Sequence, residues 1–337
     1  MILECREGRK EGSVSKTAVV IPNYNGIKYL ADCLNSLRNQ SVQDFDVIVV
    51  DDCSTDESLS EIECNFSEVI SVKRDKNGGF AVSVNDGIRL AKENGAEFVI
   101  LLNNDTVAEE TFVEKLVNAM EEEERIFSVQ AKMLSLKDPE IIDDAGDFYT
   151  VLGWAYARGK GKNALKYAKK SKIFAACAGA AIYRVSVFEE IGMFDEEHFA
   201  YLEDIDIGYR AQLYGYTNVY EPGAVVYHAG SATSGSRYNE FKIKLAARNS
   251  VYLIYKNQTY LQMMLHFGPV FTGFVVKQLF FMMKGYGKVY HKAVLEGLGN
   301  CSKKSIKEKR VKIPKGHFKD AVCVECQLWM NIVRKIL

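Results

Sequence analysis

The side chains best suited to chemistry stand where apolar runs give way to polar residues. Phe98–Leu102 leads into Asn103, Asn104 and Asp105. A carboxylate beside two amides suits Mg²⁺ or Mn²⁺ held between protein oxygens and a diphosphate, since such ions take one or two carboxylates plus phosphate oxygens. Asp51 and Asp52 close another Val/Ile-rich run and offer an acceptor for a nucleobase N–H, while Tyr24 on the neighbouring loop offers a ring for stacking. Asn77-Gly78-Gly79-Phe80 precedes a helical pattern, so backbone N–H groups at that helix start can face a phosphate or a sugar. Singly, each stretch also reads as ordinary turn or capping chemistry.

Residues 192–210 gather acids in an aromatic setting. Glu203, Asp204 and Asp206 lie within four positions and cannot all point the same way on a helix, so one or two can face a cleft while another serves the helix start. A carboxylate partly desolvated by Phe194, Phe199 and Tyr201 has its pKa raised, which suits a general base. The bland alternative is an acidic helix N-terminus favoured by the dipole. His228 ends the apolar run Ala224-Val225-Val226-Tyr227, and a histidine at a strand exit beside a metal site is a candidate ligand.

These groups must be positioned by a sheet. Residues 17–21, 46–50, 69–73 and 98–102 are near-continuously apolar, as in a sheet covered on both faces. Helical spacing separates them: Leu30, Leu34 and Leu37 on one segment, Ile88 and Leu90-Ala91 on a helix over 80–94 closed by Gly95. The order βαβαβαβ predicts an α/β fold with a Rossmann-like, mainly parallel central sheet, helices on both faces, and a ligand site at the carboxyl ends of the strands. The second half is less regular: a small-residue strand over 175–183, a helix over 205–214, a strand pair over 218–227 turning at Pro222-Gly223, and a long helix over 237–256.

Composition narrows the class. Lys284 onward carries 13 Lys/Arg against 4 Asp/Glu, about +9, leaving about −10 for the rest of the chain. The eight cysteines are scattered, a pattern expected of a reducing cytosol, and Cys323 and Cys326 form a lone C-x-x-C without zinc spacing. Residues 1–16 are polar, with no apolar core of a secretory signal. Residues 260–283 are apolar but interrupted by His266, Gly268-Pro269 and Lys277, which suits a broken or interfacial helix. With the basic region after it, this segment suits either peripheral contact with anionic head groups or an ordinary helical subdomain. There is no complete G-x-G-x-x-G and no P-loop, and no aromatic platform or module for nucleic acid.

In chain order, VVIPNYNG (19–26), VIVVDDCSTD (47–56), NGGFAVSVNDGI (77–88), FVILLNNDT (98–106), CAGAAIYR (177–184), GMFDEEHFAYLEDIDIGYRAQLYGY (192–216) and HAGSATSG (228–235) resemble the family-2 glycosyltransferases of GT-A fold, in particular bacterial rhamnosyltransferase-like members. The resemblance implies a GT-A catalytic domain over 17–256, divided into a nucleotide-binding half (17–106) and an acceptor and catalytic half (107–256). A polar N-terminal extension (1–16), an amphipathic helical region (257–300) and a basic tail (301–337) flank it. It implies that Pro22, Tyr24 and Asp52 meet the nucleobase and ribose, that Gly78, Gly79 and Asn85 line the nucleotide wall beside Asn104, and that Gly179 and Ala180 flank the donor phosphates and sugar. Asp105 matches the last acid of an Asp-x-Asp metal motif whose first position is Asn103 here, His228 completes metal binding, and Asp204, with Glu203 beside it, is the catalytic base.

The implied reaction is inverting transfer of a sugar, with dTDP-L-rhamnose as the first expectation and UDP-sugars next. The acceptor is a saccharide or lipid-linked saccharide of a cell-surface polymer. The expected setting is the cytoplasm, with peripheral contact at the inner face of the cell membrane. Two rivals stand beside this reading. A sugar-1-phosphate nucleotidyltransferase would carry a Gly-rich, Arg-containing loop where Pro22-Asn23-Tyr24 stands, and a silent nucleotide-sugar binding protein would not need Asp105, Asp204 and His228 together.

Overall fold

Val19, Val20, Ile48, Val49, Ile100 and Leu101 are all fully buried, so the strands that carry them need cover on both faces. In the computed structural model, which describes residues 2–3, 15–230 and 238–336, those strands form the parallel half of one sheet in the order Ile70–Lys73, Phe45–Asp51, Thr17–Asn23, Phe98–Leu102. Register sets Val19 between Val47 and Ile100. The helix Ile27–Arg38 covers one face with Leu30, Cys33, Leu34 and Leu37. The helix Phe80–Glu93 covers the other with Ala81, Val84, Ile88 and Ala91.

Beyond Phe98–Leu102 the sheet changes sense. Ala180–Arg184 runs antiparallel to it, with Ala181 opposite Leu101. Ile126–Ser135 follows, then Thr217–His228 parallel to that strand, then Ser171–Ile173 at the edge. Two expectations are corrected here. The strand expected over 175–183 begins only at Ala180, and residues 175–179 form the loop that carries Cys177 and Gly179. The strand pair expected to turn at Pro222-Gly223 is a single strand, Thr217–His228, whose register slips between Glu221 and Val225. The Pro-Gly is absorbed as a bulge because both flanks pair with Ile126–Ser135, and a bulge adds residues without reversing the chain.

The helix Glu203–Leu213 lies against this second half, and the helix Glu240–Asn257 starts at the N-cap Asn239, whose side chain accepts from the Lys242 N–H at 2.9 Å. The start expected at Arg237 lies outside the described residues, as do positions 231–235 of the last quoted motif. The segment 260–283 breaks, as its sequence suggests, into Tyr260–Leu265 and Phe267–Met283. The helix Gly287–Asn300 then packs Tyr290 and Ala293 onto Ile243 and Ala247.

The segment expected as a basic tail is not one. Residues 318–336 form the helix Phe318–Ile336, and its Ala321, Val324 and Leu328 join the same core as Tyr149, Phe174 and Tyr209. Backbone and side-chain bonds fasten it: the Val151 N–H donates to the Leu328 carbonyl at 3.0 Å and the Asn331 amide to the Tyr149 carbonyl at 2.8 Å. The lysines that dominate the composition are solvated while an apolar stripe at helical spacing is buried.

Candidate functional site

The ends of three strands are tied to one another. The Asn23 amide donates to Asp51 Oδ1 at 2.8 Å, and its Oδ1 accepts from Asn104 Nδ2 at 2.6 Å. Asp51 also accepts from the Ser54 N–H at 3.0 Å. Asp51 and the Asn104 side chain therefore frame the rim. Gly26 is required beside them, because a Cβ there would run into the Asn104 and Asn23 side chains. Pro22 is partly exposed in the strand just before this junction, and Tyr24 presents its ring to solvent next to it.

Asp52 is buried, and it organises the neighbouring loop. Its two oxygens accept from the Gly78 and Gly79 N–H groups, each at 2.8 Å, and Arg74 Nε lies 3.0 Å from Oδ1. Gly79 has φ +83°, and a Cβ there would sit 2.5 Å from the Phe199 carbonyl oxygen, so the glycine loop of the first half is pressed against the loop before Glu203. Asn85 clamps the same halves from below: it donates to the Phe194 carbonyl at 2.8 Å and accepts from the Phe194 N–H at 3.1 Å. It is 1 % exposed, and its side chain braces the wall between the two halves.

On the other side of the rim stand Asn103, Asp105 and His228. His228 Nε2 is 3.2 Å from Asp105 Oδ1, and Nδ1 is 2.8 Å from Asp143 Oδ2, whose other oxygen accepts from Lys160 at 2.8 Å. Burial alone would depress the imidazole, but its hydrogen bonds to Asp105 and Asp143 hold its pKa up at about 9. A histidine oriented through one nitrogen by a carboxylate, with the other nitrogen beside a second carboxylate, is the donor arrangement of a divalent-metal site. The residues fit such an ion. The Asn103 N–H donates to the Gly179 carbonyl at 2.9 Å, and a Cβ on Gly179 would stand 2.9 Å from Asn103 Nδ2. Ala180 is buried in register with Leu102, leaving only its backbone near the rim.

The 177–180 loop links that side to the acids. Ligand atoms of Asp144, Asp147 and Cys177 lie within 4.8 Å of one another, and burial, then the charges of Asp144 and Asp204, push Asp147 well above the carboxylate range. Burial lifts Asp204 to about 6, against the lowering effect of the Ile205 N–H and of Asp147. Burial, then the charge of Asp204, pushes Glu203 well above the carboxylate range, and among the described residues its Oε2 has no hydrogen-bond partner. Asp206 belongs elsewhere. It is fully buried, faces Lys256 and Arg210 at 2.8 Å each, and stays well below the usual range because these cations outweigh its burial. Asp195, with Lys256 at 2.7 Å and Lys309 at 2.8 Å, completes that ionic girder.

The approach to Glu203 is strained. Phe199, Tyr201 and Leu202 have φ of +62°, +72° and +71°, a region costly for side chains of this size. The strain is held by Asn249, whose amide donates to the carbonyls of His198, Ala200 and Tyr201 at 2.8, 3.0 and 2.8 Å. The sequence reading missed Asn249, Arg74, Asp143 and Asp147. The run Ile141-Ile142-Asp143-Asp144-Ala145-Gly146-Asp147 did carry a signal, acids inside an apolar stretch, which is rare without a partner or a function. A separate cleft of about 600 Å³ lies behind the loop, between Phe194 and Val311, away from Asp105 and Asp204.

A sheet of this order, with nucleotide-side loops, an Asn-Asn-Asp stretch able to bind metal and an acidic helix start on one rim, defines the GT-A architecture. The chain belongs to the glycosyl transferase family 2, whose family model matches residues 18–192. Glycosyltransferase GlyG of Streptococcus pneumoniae is 33% identical over 111 residues, covering 32% of this chain and 36% of its own. The poly(ribitol-phosphate) β-N-acetylglucosaminyltransferase TarS of Staphylococcus aureus is 35% identical over 95 residues, 27% of this chain and 16% of its own. These matches thus span well under half of the relatives' length. Among solved structures, TarS 1–349 in complex with UDP-GlcNAc aligns at TM-score 0.55, 19% identity, over 87% of this chain and 83% of that one. The mannosyltransferase PcManGT of Pyrobaculum calidifontis, in complex with GDP-Man and Mn²⁺, aligns at 0.52, 15% identity, over 93% and 87%.

Proposed function

We propose that this chain is an inverting, metal-dependent glycosyltransferase that moves a sugar from a nucleoside diphosphate to a hydroxyl of a saccharide or lipid-linked saccharide in cell-surface polysaccharide synthesis. One observation carries the reading: Asp105 with His228, the Asp52-held glycine loop and Asp204 are joined through the 177–180 and 199–202 loops into a single rim. Tyr24, Pro22 and the Asp52-organised loop hold the nucleoside, and Gly78, Gly79 and Gly179 let backbone approach the diphosphate. Asp105, Asn103 and His228 would hold Mg²⁺ or Mn²⁺, and such an ion would supply the positive charge that offsets the departing diphosphate in place of a general acid. Asp204 accepts the acceptor hydroxyl's proton, with Glu203 against it.

Asp204→Asn abolishes transfer while leaving donor binding nearly intact, measured by thermal shift with donor and Mn²⁺. Full activity in that variant refutes the assignment. The rhamnosyltransferase-like motifs favour dTDP-L-rhamnose as donor, and the TarS likeness favours UDP-N-acetylglucosamine. A thermal-shift panel of both, with and without Mn²⁺, separates them, since a true donor stabilises the folded state according to its occupancy.

The helix Phe267–Met283 supports a second part of the reading. Only Gly273 on it is buried, while Phe267 and Phe271 are 71% and 60% exposed. No helix of the described residues is long and apolar enough to cross a membrane. Apolar side chains beside Lys284, Lys288 and Lys292 suit the acyl boundary of an anionic bilayer, where a lipid-linked acceptor would be presented. The full chain floats with phosphatidylglycerol vesicles and not with phosphatidylcholine ones, and the pair Phe267→Glu and Phe271→Glu removes flotation. Unchanged flotation counts against the contact.

A further inference from the structure

Asp144, Asp147 and Cys177 take no part in the reaction proposed above, yet their side chains converge. Ligand atoms of the three lie within 4.8 Å of one another, and Asp144 and Asp147 are 6% and 8% exposed. The backbone fixes this arrangement. Asp144 ends the short strand Ile142–Asp144, and Asp147 begins the next, Asp147–Tyr149. Between them Gly146 turns the chain at φ +114°, where a Cβ would run into the Ile173 side chain. The Asp147 N–H donates to the Ala175 carbonyl at 3.0 Å and its carbonyl accepts from the Ala175 N–H at 3.1 Å, which brings the loop of Cys177 alongside.

Gln130 orients two of the three groups. It is fully buried; its amide donates to Asp144 Oδ1 at 2.8 Å, and its Oε1 accepts from the Cys177 N–H at 2.7 Å. The Gly146 N–H also donates to Asp144 Oδ1 at 2.8 Å, so both bonds fall on one oxygen and leave Oδ2 for another partner. The Asp147 carboxyl is more than nine-tenths buried and turned into the cluster, and no N–H among the described residues donates to it. Lys160 is engaged by Asp143 at 2.8 Å. Outer groups that aim ligands while leaving their inner faces open are the support a metal centre needs, and carboxylates buried together call for a cation.

We propose that Asp144, Asp147 and the Cys177 thiolate form a second divalent-metal site, distinct from Asp105 and His228, that takes Zn²⁺. The donor set decides the class of ion: a thiolate with two carboxylates suits Zn²⁺, whereas Mg²⁺ takes oxygen alone. Ligand atoms of a tetrahedral Zn²⁺ stand roughly 3–4 Å apart at the usual bond lengths, so small side-chain rotations bring groups already within 4.8 Å onto one ion. Binding replaces the S–H bond of Cys177 with an S–metal bond, and the proton leaves to solvent; no electron is transferred. The ion ties the strand Asp147–Tyr149 to the 177–180 loop, whose Gly179 carbonyl accepts from the Asn103 N–H at 2.9 Å. It is a brace for the rim, and it stands whether or not Asp204 is the base.

Cobalt substitution tests this without turnover. The full chain carrying Cys323→Ser and Cys326→Ser, so that the exposed pair cannot contribute, is stripped of metal by chelation and titrated with Co²⁺. A thiolate-to-cobalt charge-transfer band grows in the near ultraviolet and saturates at one thiolate-bound ion per chain. Cys177→Ser removes the band. Asp147→Asn keeps the thiol and weakens Co²⁺ binding at least about ten-fold, read from the same band, so a folding defect in the first variant does not hide the answer. Zn²⁺ abolishes the band and excess Mg²⁺ does not. Asp105→Asn leaves it in place, because that carboxylate belongs to the other site. The proposal is overturned by the absence of a band, by a band that survives Cys177→Ser, by unweakened binding in Asp147→Asn, or by loss of the band in Asp105→Asn. An Asp105→Asn enzyme with full transfer and a normal band refutes the donor-metal reading and supports this one.

Discussion

Asp204 is held at a cost that sets both its chemistry and its pH dependence. Its pKa of about 6 in the fold lies above the ordinary aspartate value of about 3.9. The folded state therefore binds that proton more tightly than the unfolded chain, and the associated stability is fully present below about pH 4 and lost as pH rises through about 6. Asp204→Asn should raise the melting temperature at pH 7.5 by the equivalent of roughly 3 kcal/mol and converge with the wild type near pH 4. A variant no more stable at pH 7.5 contradicts the burial argument. If Asp204 is the base proposed above, transfer should fall as pH drops through about 6, where its carboxylate becomes protonated. The three acids 203, 204 and 206 were legible in the sequence as a group facing different ways, but not which faced where. That was decided by Lys256, some fifty positions away, which claims Asp206 for the interior. Asp147 was illegible for a related reason: only its non-local pairing with Ala175 brings it beside Cys177 on the 177–180 loop.

At the scale of elements, the loop before Glu203 is a strained segment fixed from outside. Asn249→Ala removes the hydrogen bonds to three carbonyls, costing about 2–3 kcal/mol at about 1 kcal/mol each, and should lower kcat more than donor affinity, because the loop aims the base. Chemical denaturation and thermal shift with donor check both halves of that statement. Gly79→Ala should weaken donor binding, since a methyl group would press on Phe199 from a backbone with φ +83°. Donor affinity equal to wild type would contradict the close approach. The parallel strands were readable because burial on both faces leaves continuous Val/Ile runs, and the helix over 80–94 because its apolar positions repeat at helical spacing. The bulged strand Thr217–His228 was not, because Pro-Gly is a turn signal locally and its pairing with Ile126–Ser135 is a tertiary fact.

The whole molecule is less divisible than its charge pattern implies. Acidic and basic portions read as separate objects, yet Lys309 reaches Asp195 in the catalytic half and Leu328 is fully buried among that half's aromatics. Leu328→Ala should destabilise the full chain by about 2–5 kcal/mol through the cavity it leaves, measured by chemical denaturation; a change under 1 kcal/mol would mean the helix Phe318–Ile336 is only loosely seated. For the same reason, membrane contact is better probed by surface substitutions such as Phe267→Glu than by cutting the chain before residue 260, which would remove part of the core. The burial of Leu328 also bears on the order of events at the ribosome. The four parallel strands and the helices Ile27–Arg38 and Phe80–Glu93 that cover them lie within residues 17–102 and can consolidate early, but the aromatic cluster around Tyr149 and Tyr209 stays uncovered until residue 328 has emerged. During that interval a nascent chain offers chaperones a greasy, half-finished face that is sealed only when the helix Phe318–Ile336 docks.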